Sequence, residues 1–179
     1  MTSFYSIEEL KSLGLNSFGE NVKISRKTSI YGAENITIGN NVRIDDYCIL
    51  SGNITIHSNI HISSYVALYG QKGIVLEDFS GISSKSIIYS AMDNFGGDYL
   101  IGPIHLEGTT KVTGGVVRLC KYVQIGAGSV IFPNITLSEG SVLGAMSLLK
   151  CNTQSWSIYA GIPAKWISER KKGLLNKVY

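Results

Sequence analysis

Residues 36–68 read ITIGNNVRIDDYCILSGNITIHSNIHISSYVAL, and an aliphatic residue returns in this stretch at every sixth position. A second apolar row runs two residues ahead of the first. The first row holds Ile38, Ile44, Leu50, Ile56, Ile62, Leu68 and Ile74, and the second holds Ile36, Val42, Cys48, Ile54, Ile60 and Val66. Because side chains alternate faces along a strand, residues two apart point the same way. A period of six therefore predicts short strands joined by corners, and it excludes helices here.

The residues between these strands carry turn chemistry. Gly, Asn, Asp and Ser dominate them, as in Gly39–Asn41 and Ser51–Asn53. Three strands and three corners make a coil of about 18 residues, and stacked coils form a solenoid with an aliphatic interior. The row returns later as Leu119, Ile125, Ile131, Leu137, Leu143 and Leu149. The predicted fold class is all-β, a parallel β-helix.

The rows divide one domain, residues 1–179, into segments. A capping-box pair, Ser6 and Glu9, predicts a short N-terminal helix. One long interruption breaks the period, and such an excursion inside a regular solenoid is either functional or disordered. The predicted segments are an N-terminal helix over 4–13, first coils over 22–88, an active-site loop over 89–115, last coils over 117–150 and a basic C-terminal helix over 164–176.

Charge and composition exclude several classes of protein. The formal charge is only +3, and residues 165–179 hold five basic residues against Glu169, so a bound polyanion is expected to be small and not a nucleic acid. No apolar run approaches the roughly 20 residues of a membrane span, and no signal peptide is recognisable. Three cysteines without metal-ligand spacing predict reduced thiols and a cytoplasmic protein.

Two stretches carry a resemblance to a known family. Residues 125–150, IGAGSVIFPNITLSEGSVLGAMSLLK, and residues 159–165, YAGIPAK, resemble the left-handed β-helix, hexapeptide-repeat acyltransferases. The segment from Tyr89 to Tyr99 resembles a subfamily of galactoside or lipopolysaccharide O-acetyltransferase-like proteins, which is also similar to N-acyltransferases of nucleotide-linked amino sugars. The resemblance implies a homotrimer with active sites at subunit boundaries. It also implies acetyl-CoA or another acyl-CoA as co-substrate, with no tightly bound cofactor and no metal.

Acyl transfer from a thioester needs an oriented nucleophile, a proton acceptor and a donor for the developing oxyanion. His61 lies between inward-facing isoleucines and so points outward. The resemblance implies a place near the thioester, so His61 is a candidate to orient the thioester or to serve as base. The second histidine of the relatives' relay is replaced here by Gly52. Asp93, a loop carboxylate beside glycines and aromatics, is a candidate proton acceptor. His105, in the same loop, is a candidate replacement base.

The acceptor and the co-substrate suggest further residues. The subfamily usually shows D-D-F-S-G where this chain has Asp93, Asn94, Phe95, Gly96 and Gly97, so one carboxylate is missing. Small residues let the pantetheine chain approach the backbone, and basic residues can meet phosphates. The candidates for acceptor binding are Ser84, Asn94, Asp98 and Tyr99, and those for CoA binding are Gly126, Ala127, Gly144, Ala145, Ala160, Lys165, Arg170 and Lys171.

We therefore expect an acyl-CoA-dependent sugar acyltransferase of surface-polysaccharide synthesis. An amine acceptor on a nucleotide-linked sugar is favoured over a hydroxyl, because no strong base is evident. Sugar O-acetylation by a histidine base remains an alternative. A carbonic anhydrase of the same fold would need three convergent histidines, and the spacing of His57 and His61 gives no reason to converge. A non-catalytic trimeric scaffold is the alternative of another class.

Overall fold

The computed structural model describes residues 3–177, which form a solenoid of stacked coils with three faces. Nearly all strands pair in parallel with the strand one coil later, so that Arg43 lies opposite His61. One eight-stranded sheet forms the first face. One ten-stranded sheet forms the other two faces, because two of its strands run around a corner.

The elements are short, as the six-residue period predicts. The strands are β1 (Ser17–Phe18), β2 (Val22–Ile24), β3 (Ser29–Tyr31), β4 (Ile36–Ile38), β5 (Val42–Ile44), β6 (Ile49–Ile56), β7 (Ile60–Ile62), β8 (Ala67–Leu76), β9 (Gly81–Ile82), β10 (Ile87–Tyr89), β11 (Ala91–Asp93), β12 (Val112–Gly114), β13 (Val117–Leu119), β14 (Gln124–Ile125), β15 (Val130–Ile131), β16 (Thr136–Leu137), β17 (Val142–Leu143), β18 (Leu148–Leu149), β19 (Ser157–Gly161) and β20 (Ala164–Glu169). Helix α1 is Ile7–Ser12, and the 3-10 helices are Ala33–Asn35 and Gly173–Lys177.

The interior is built mainly from the two apolar rows, with buried serines and threonines among them. Ile44, Leu50 and Leu68 have no exposed surface, and all other members of both rows are buried. Face 1 carries β2, β5, β7, β9, β14, β17 and β19, with β20 along its edge. Face 2 carries β3, β10, β15, β18 and the first parts of β6 and β8, and face 3 carries β1, β4, β13, β16 and the second parts of β6 and β8. The predicted parallel β-helix is confirmed.

The ends of the chain close the solenoid differently. At the N-terminus the capping box is formed, with Ser6 N–H donating to Glu9 Oε2 over 2.7 Å. At the C-terminus the sequence predicts a helix over 164–176, but the structure has strand β20 and the 3-10 helix Gly173–Lys177. The reason is the last coil, whose strand β19 has an open edge that β20 pairs with in antiparallel fashion.

The interruption of the period leaves the coils as a hairpin. Strands β11 and β12 pair antiparallel, with Asp93 opposite Val112, and the segment between them forms the tip. The tip exposes large apolar side chains, among them Phe95, Ile104 and Leu106, with exposed fractions of 68, 88 and 81%. No helix in residues 3–177 is long and apolar enough to cross a membrane.

One buried hydroxyl in the interior is unsatisfied. Ser80 is 2% exposed, and its Oγ has no hydrogen-bond partner among the described residues. Because a buried hydroxyl without a partner carries a desolvation cost, we expect Ser80→Ala to leave stability unchanged or to raise it by about 1 kcal/mol. Ser141→Ala is the matched control, since Ser141 Oγ accepts a hydrogen bond from Thr153 Oγ1 over 2.8 Å. Denaturant midpoints that fall equally in both variants would contradict this expectation.

Candidate active site

A column of small and polar residues runs up the corner between face 1 and face 2. At each coil the first two residues after the face 1 strand turn the chain, and backbone hydrogen bonds such as Ser63 N–H to Ile82 O stack one pair above the next. We call this set the corner column. From the N-terminal end its pairs are Ser25–Arg26, Asp45–Asp46, Ser63–Ser64, Ser83–Ser84, Gly126–Ala127, Gly144–Ala145 and, at the end of β19, Ala160–Gly161, which follow the Leu143–Tyr159 pair.

The coils approach each other closely at the upper end of the corner column. A Cβ on Gly126 would lie 2.4 Å from Ala145 N, and a Cβ on Gly144 would lie 2.9 Å from Ala160 Cβ. Real Cβ atoms do not approach a neighbour so closely, so the stacking alone already requires glycine at position 126. Packing therefore accounts for these glycines whether or not a ligand binds there.

The backbone of the corner column offers unpaired donors. At the opposite end of the face 1 strands, side chains from the next coil accept from the corner amides, as Ser58 Oγ does from Asn40 N–H over 3.0 Å. In the corner column, by contrast, the N–H groups of Ser84, Ala127 and Ala145 have no acceptor among residues 3–177. A row of open N–H groups beside small side chains suits a ligand that carries amide carbonyls, as pantetheine does.

His61 lies on face 1 just before the lower part of this column, and a carboxylate fixes its orientation. Its side chain is half exposed, and Nε2 donates to Asp45 Oδ2 over 2.7 Å. Arg43 Nε donates to the other carboxylate oxygen, also over 2.7 Å. Burial raises the pKa of Asp45, but the hydrogen bonds from His61 and Arg43 outweigh it and leave this pKa below its usual value. Asp45 therefore stays ionised and holds the imidazole through Nε2.

The hairpin holds the other predicted residues. Asp93, on β11, is partly exposed, and its side chain makes no hydrogen bond or ion pair within the described chain. Asn94 Oδ1 accepts from Gly96 N–H over 2.8 Å, so this amide shapes its own loop. Lys111 Nζ lies 5.2 Å from the centre of the Tyr99 ring. Asp98 and His105 are exposed at the tip, and neither side chain has a partner among residues 3–177.

A single chain does not bring the corner column and the hairpin residues together. Ser84 precedes β10 and Asp93 follows it, so the corner column and the hairpin leave opposite ends of the same strand. At about 3.3 Å per residue, β10 alone separates them by roughly 10 Å.

Next to β11 lies a cavity of about 350 Å³, lined by Ser51, Gly52, Tyr69, Gly70, Gln71 and Ala91. Of these lining residues only Gly52 was singled out from the sequence, because the register of β6 and β8 is what assembles them.

The basic residues of the C-terminal segment are divided between two places. Lys165 lies opposite Ala160 in the β19–β20 pair and so stands at the top of the corner column. Arg170 lies at the other end of the face 1 strands, where Nη1 donates to Tyr122 O over 2.7 Å and Gly140 O over 3.0 Å. Burial lowers the pKa of Arg170. Lys171 is exposed.

Asp45 is the functional candidate that the sequence analysis missed. The signal was available, because one coil of about 18 residues separates Arg43 from His61, which places Arg43 beneath His61 and Asp45 two residues further along the chain. Among residues 3–177, no group of three His, Cys, Asp or Glu side chains is arranged to hold a metal ion.

Comparison with known proteins places the chain in a family. No protein-family model matches it. It is 45% identical over 171 residues to the dTDP-4-amino-4,6-dideoxy-D-glucose acyltransferase of Escherichia coli, covering 94% of this chain and 89% of the relative. The structure matches AntD, an N-acyltransferase from Bacillus cereus solved with dTDP and 3-hydroxybutyryl-CoA, with a TM-score of 0.96 and 50% identity over 99% of this chain and 95% of AntD.

Further structures of AntD carry substitutions at one serine and one aspartate, and two of the serine variants hold dTDP-4-amino-4,6-dideoxyglucose and coenzyme A. The acetyltransferase domain of PglB from Neisseria gonorrhoeae matches with a TM-score of 0.62 at 16% identity, over 82% of this chain and 57% of that domain, which shows the fold alone. The stacked coils, the corner column and these relatives together show the family of the chain. It belongs to the left-handed β-helix acyltransferases that use acyl-CoA, in the branch that contains the dTDP-amino-sugar N-acyltransferases.

Proposed function

We propose that this enzyme acylates the amine of a dTDP-linked 4-amino-4,6-dideoxy sugar. The observation that carries the proposal is the row of open N–H groups at Ala127 and Ala145, next to Ser84, which suits an acyl-CoA thioester arriving beside an acceptor. The relative at 45% identity acts on this sugar nucleotide, and AntD, at 50% identity, binds it together with coenzyme A. A serine and an aspartate, the residue types substituted in AntD, are supplied here by the Ser83–Ser84 corner and by Asp93.

The reaction needs one proton to move. The neutral amine nitrogen attacks the thioester carbonyl, a C–N bond forms, the C–S bond breaks, and the sulfur leaves as the thiolate of CoA. The amine gives up one proton, and the thiolate ultimately takes one. Asp93 accepts the proton transiently, the Ser84 side chain contacts the acceptor, and a corner-column N–H stabilises the oxyanion.

The active form in this proposal is a homotrimer in the cytoplasm. Face 2 carries an outward-facing row of partly exposed apolar residues, Ile49, Ile87, Val130 and Leu148, with the buried Ala67 between the first two, and a neighbouring subunit would cover this row. The hairpin tip adds further exposed apolar side chains. A neighbouring subunit would also bring its Asp93 hairpin to the corner column, which one chain does not do. The cytoplasm keeps thiols reduced, and the three cysteines Cys48, Cys120 and Cys151 are free thiols, which fits that compartment. A role in surface-polysaccharide synthesis completes the proposal.

Turnover is tested by thiol release from acetyl-CoA and from 3-hydroxybutyryl-CoA, each with dTDP-4-amino-4,6-dideoxyglucose and with its 4-hydroxy counterpart. Mass spectrometry of the products identifies the acylated group. We expect acylation of the amino sugar only, and the comparison of donors identifies the acyl group. Turnover restricted to the hydroxyl sugar would instead support O-acylation.

The shared site has its own test. Light scattering gives the oligomeric state, and co-expression of Asp93→Asn with Ser84→Ala tests complementation between subunits. Mixed trimers are expected to recover activity that neither variant shows alone, because some boundaries then combine an intact serine with an intact aspartate. A monomer in solution, or no recovery in mixed trimers, would place the site within one chain.

A further inference from the structure

Buried side chains under the corner column bind its carbonyl groups. The third residue after the first member of each corner pair up to Gly144–Ala145 is buried inside the corner, as Cys48 is three residues after Asp45. We call this set the inner column, and it comprises Thr28, Cys48, Val66, Ser86, Ser129 and Ser147, all of them 7% exposed or less. These side chains lie behind the corner and not in the solvent.

Most members of the inner column donate to the first carbonyl of the next corner. Ser86 Oγ donates to Gly126 O over 3.0 Å, and Ser129 Oγ donates to Gly144 O over 2.9 Å. Lower in the solenoid, Thr28 Oγ1 donates to Asp45 O, and Cys48 Sγ donates to Ser63 O, each over 3.1 Å. Burial raises the pKa of the Cys48 thiol to about 11, so it keeps the proton that it donates.

These hydrogen bonds hold in place the peptides that carry two of the open N–H groups. A peptide unit is planar and trans, so its C=O and N–H point in opposite directions. The C=O of Gly126 and the N–H of Ala127 belong to one peptide unit, and so do the C=O of Gly144 and the N–H of Ala145. When Ser86 and Ser129 hold these carbonyls inward, the two N–H groups face outward, where they have no partner in residues 3–177.

The fold itself does not require a hydroxyl at these positions. Val66 occupies the same place in its coil with an apolar side chain, and it is fully buried there. Stacking of the coils therefore proceeds without a donor from the inner column. Ser86 and Ser129 lie beneath the two corners built from glycine and alanine, whereas the Ser84 N–H, in the corner above Val66, is open without such a donor.

We propose that Ser86 and Ser129 are positioning residues for acyl-CoA, because they fix the peptides whose N–H groups bind the amide carbonyls of its pantetheine chain. The inference rests on the proposed function only in placing acyl-CoA along the corner column. Neither serine touches the ligand, and each acts through the peptide unit that it holds.

The test measures the dissociation constant of coenzyme A by calorimetry for the full chain. Ser129→Ala is expected to weaken binding about three-fold to ten-fold, the worth of one neutral hydrogen bond. Ser129→Cys is the conservative rescue, since a thiol already plays this part at Cys48, and it is expected to retain binding within about two-fold. Ser141→Ala is the matched control, because Ser141 is equally buried in the same coil but binds Thr153.

Three outcomes would overturn the proposal: unchanged CoA binding in Ser129→Ala, equal weakening in Ser141→Ala, or no CoA binding by the wild-type protein. Thermal midpoints measured alongside show whether the two alanine variants lose similar stability. A wild-type protein that binds CoA but does not acylate the amino sugar would contradict the proposed function alone. The binding comparison would still stand in that case.

Discussion

Replacing Asp93 by asparagine is expected to lower kcat/KM for the dTDP-amino sugar by at least roughly 100-fold, the usual range for loss of a general base. Asparagine keeps the shape of the side chain but cannot accept a proton. Because the carboxylate of Asp93 has no hydrogen bond or ion pair within the described chain, the substitution should leave the thermal midpoint unchanged. Steady-state thiol release with the amino sugar as the varied substrate is the measurement.

Two companion variants make the result specific. Glu107→Gln removes another exposed carboxylate of the same hairpin tip and should leave kcat/KM within about two-fold, as surface substitutions usually do. His105→Ala distinguishes the alternative base. Activity that survives in Asp93→Asn but is lost in His105→Ala would contradict the loop carboxylate and support a histidine-based mechanism.

The sequence alone predicted the solenoid because its interior is encoded locally. A strand of three residues needs only two inward side chains, so the period of six shows directly in residues such as Ile44 and Leu50. The capping box is equally local, since Ser6 and Glu9 are three residues apart. Patterns that span so few residues depend little on the fold of the rest of the chain.

The C-terminal segment shows where local pattern fails. Over residues 164–176 apolar and basic side chains combine in a way that suits a helix on the surface, and residues 164–169 are the first half of that segment. In the structure they instead pair with the open edge of β19, Ala160 lying opposite Lys165. That edge exists only after the coils have stacked, so tertiary structure overrides the local preference.

The candidate site was predicted only in part, because some of its features are local in sequence and others depend on how the coils stack. Small residues at Gly126 and Gly144 are visible in the sequence, whereas the open N–H groups and the bond between Asp45 and His61 depend on register between coils. The separation of Ser84 from Asp93 depends on where the hairpin leaves the solenoid. The sequence suggested both residues but not that they lie at opposite ends of β10.

Substitution of Gly126 by alanine should show how closely the corner column is packed. The new Cβ would lie 2.4 Å from Ala145 N and 2.7 Å from Gly144 C, and backbone atoms cannot give way as a flexible side chain would. The two coils must therefore separate, at a cost of about 2–4 kcal/mol in the free energy of unfolding. The same separation moves the Ala145 N–H, so CoA binding should weaken as well.

Gly173→Ala is the matched control for that experiment, because a Cβ there would meet nothing within 4 Å. We expect its unfolding free energy to stay within about 0.5 kcal/mol of wild type. Denaturant unfolding measures stability, and calorimetry with coenzyme A measures binding. If Gly126→Ala unfolded at the same denaturant concentration as wild type, the close stacking would not constrain this corner. Weaker CoA binding with unchanged stability would instead mean that the methyl group blocks the ligand directly, and that Gly126 is present for the pantetheine chain and not for the stacking of the coils.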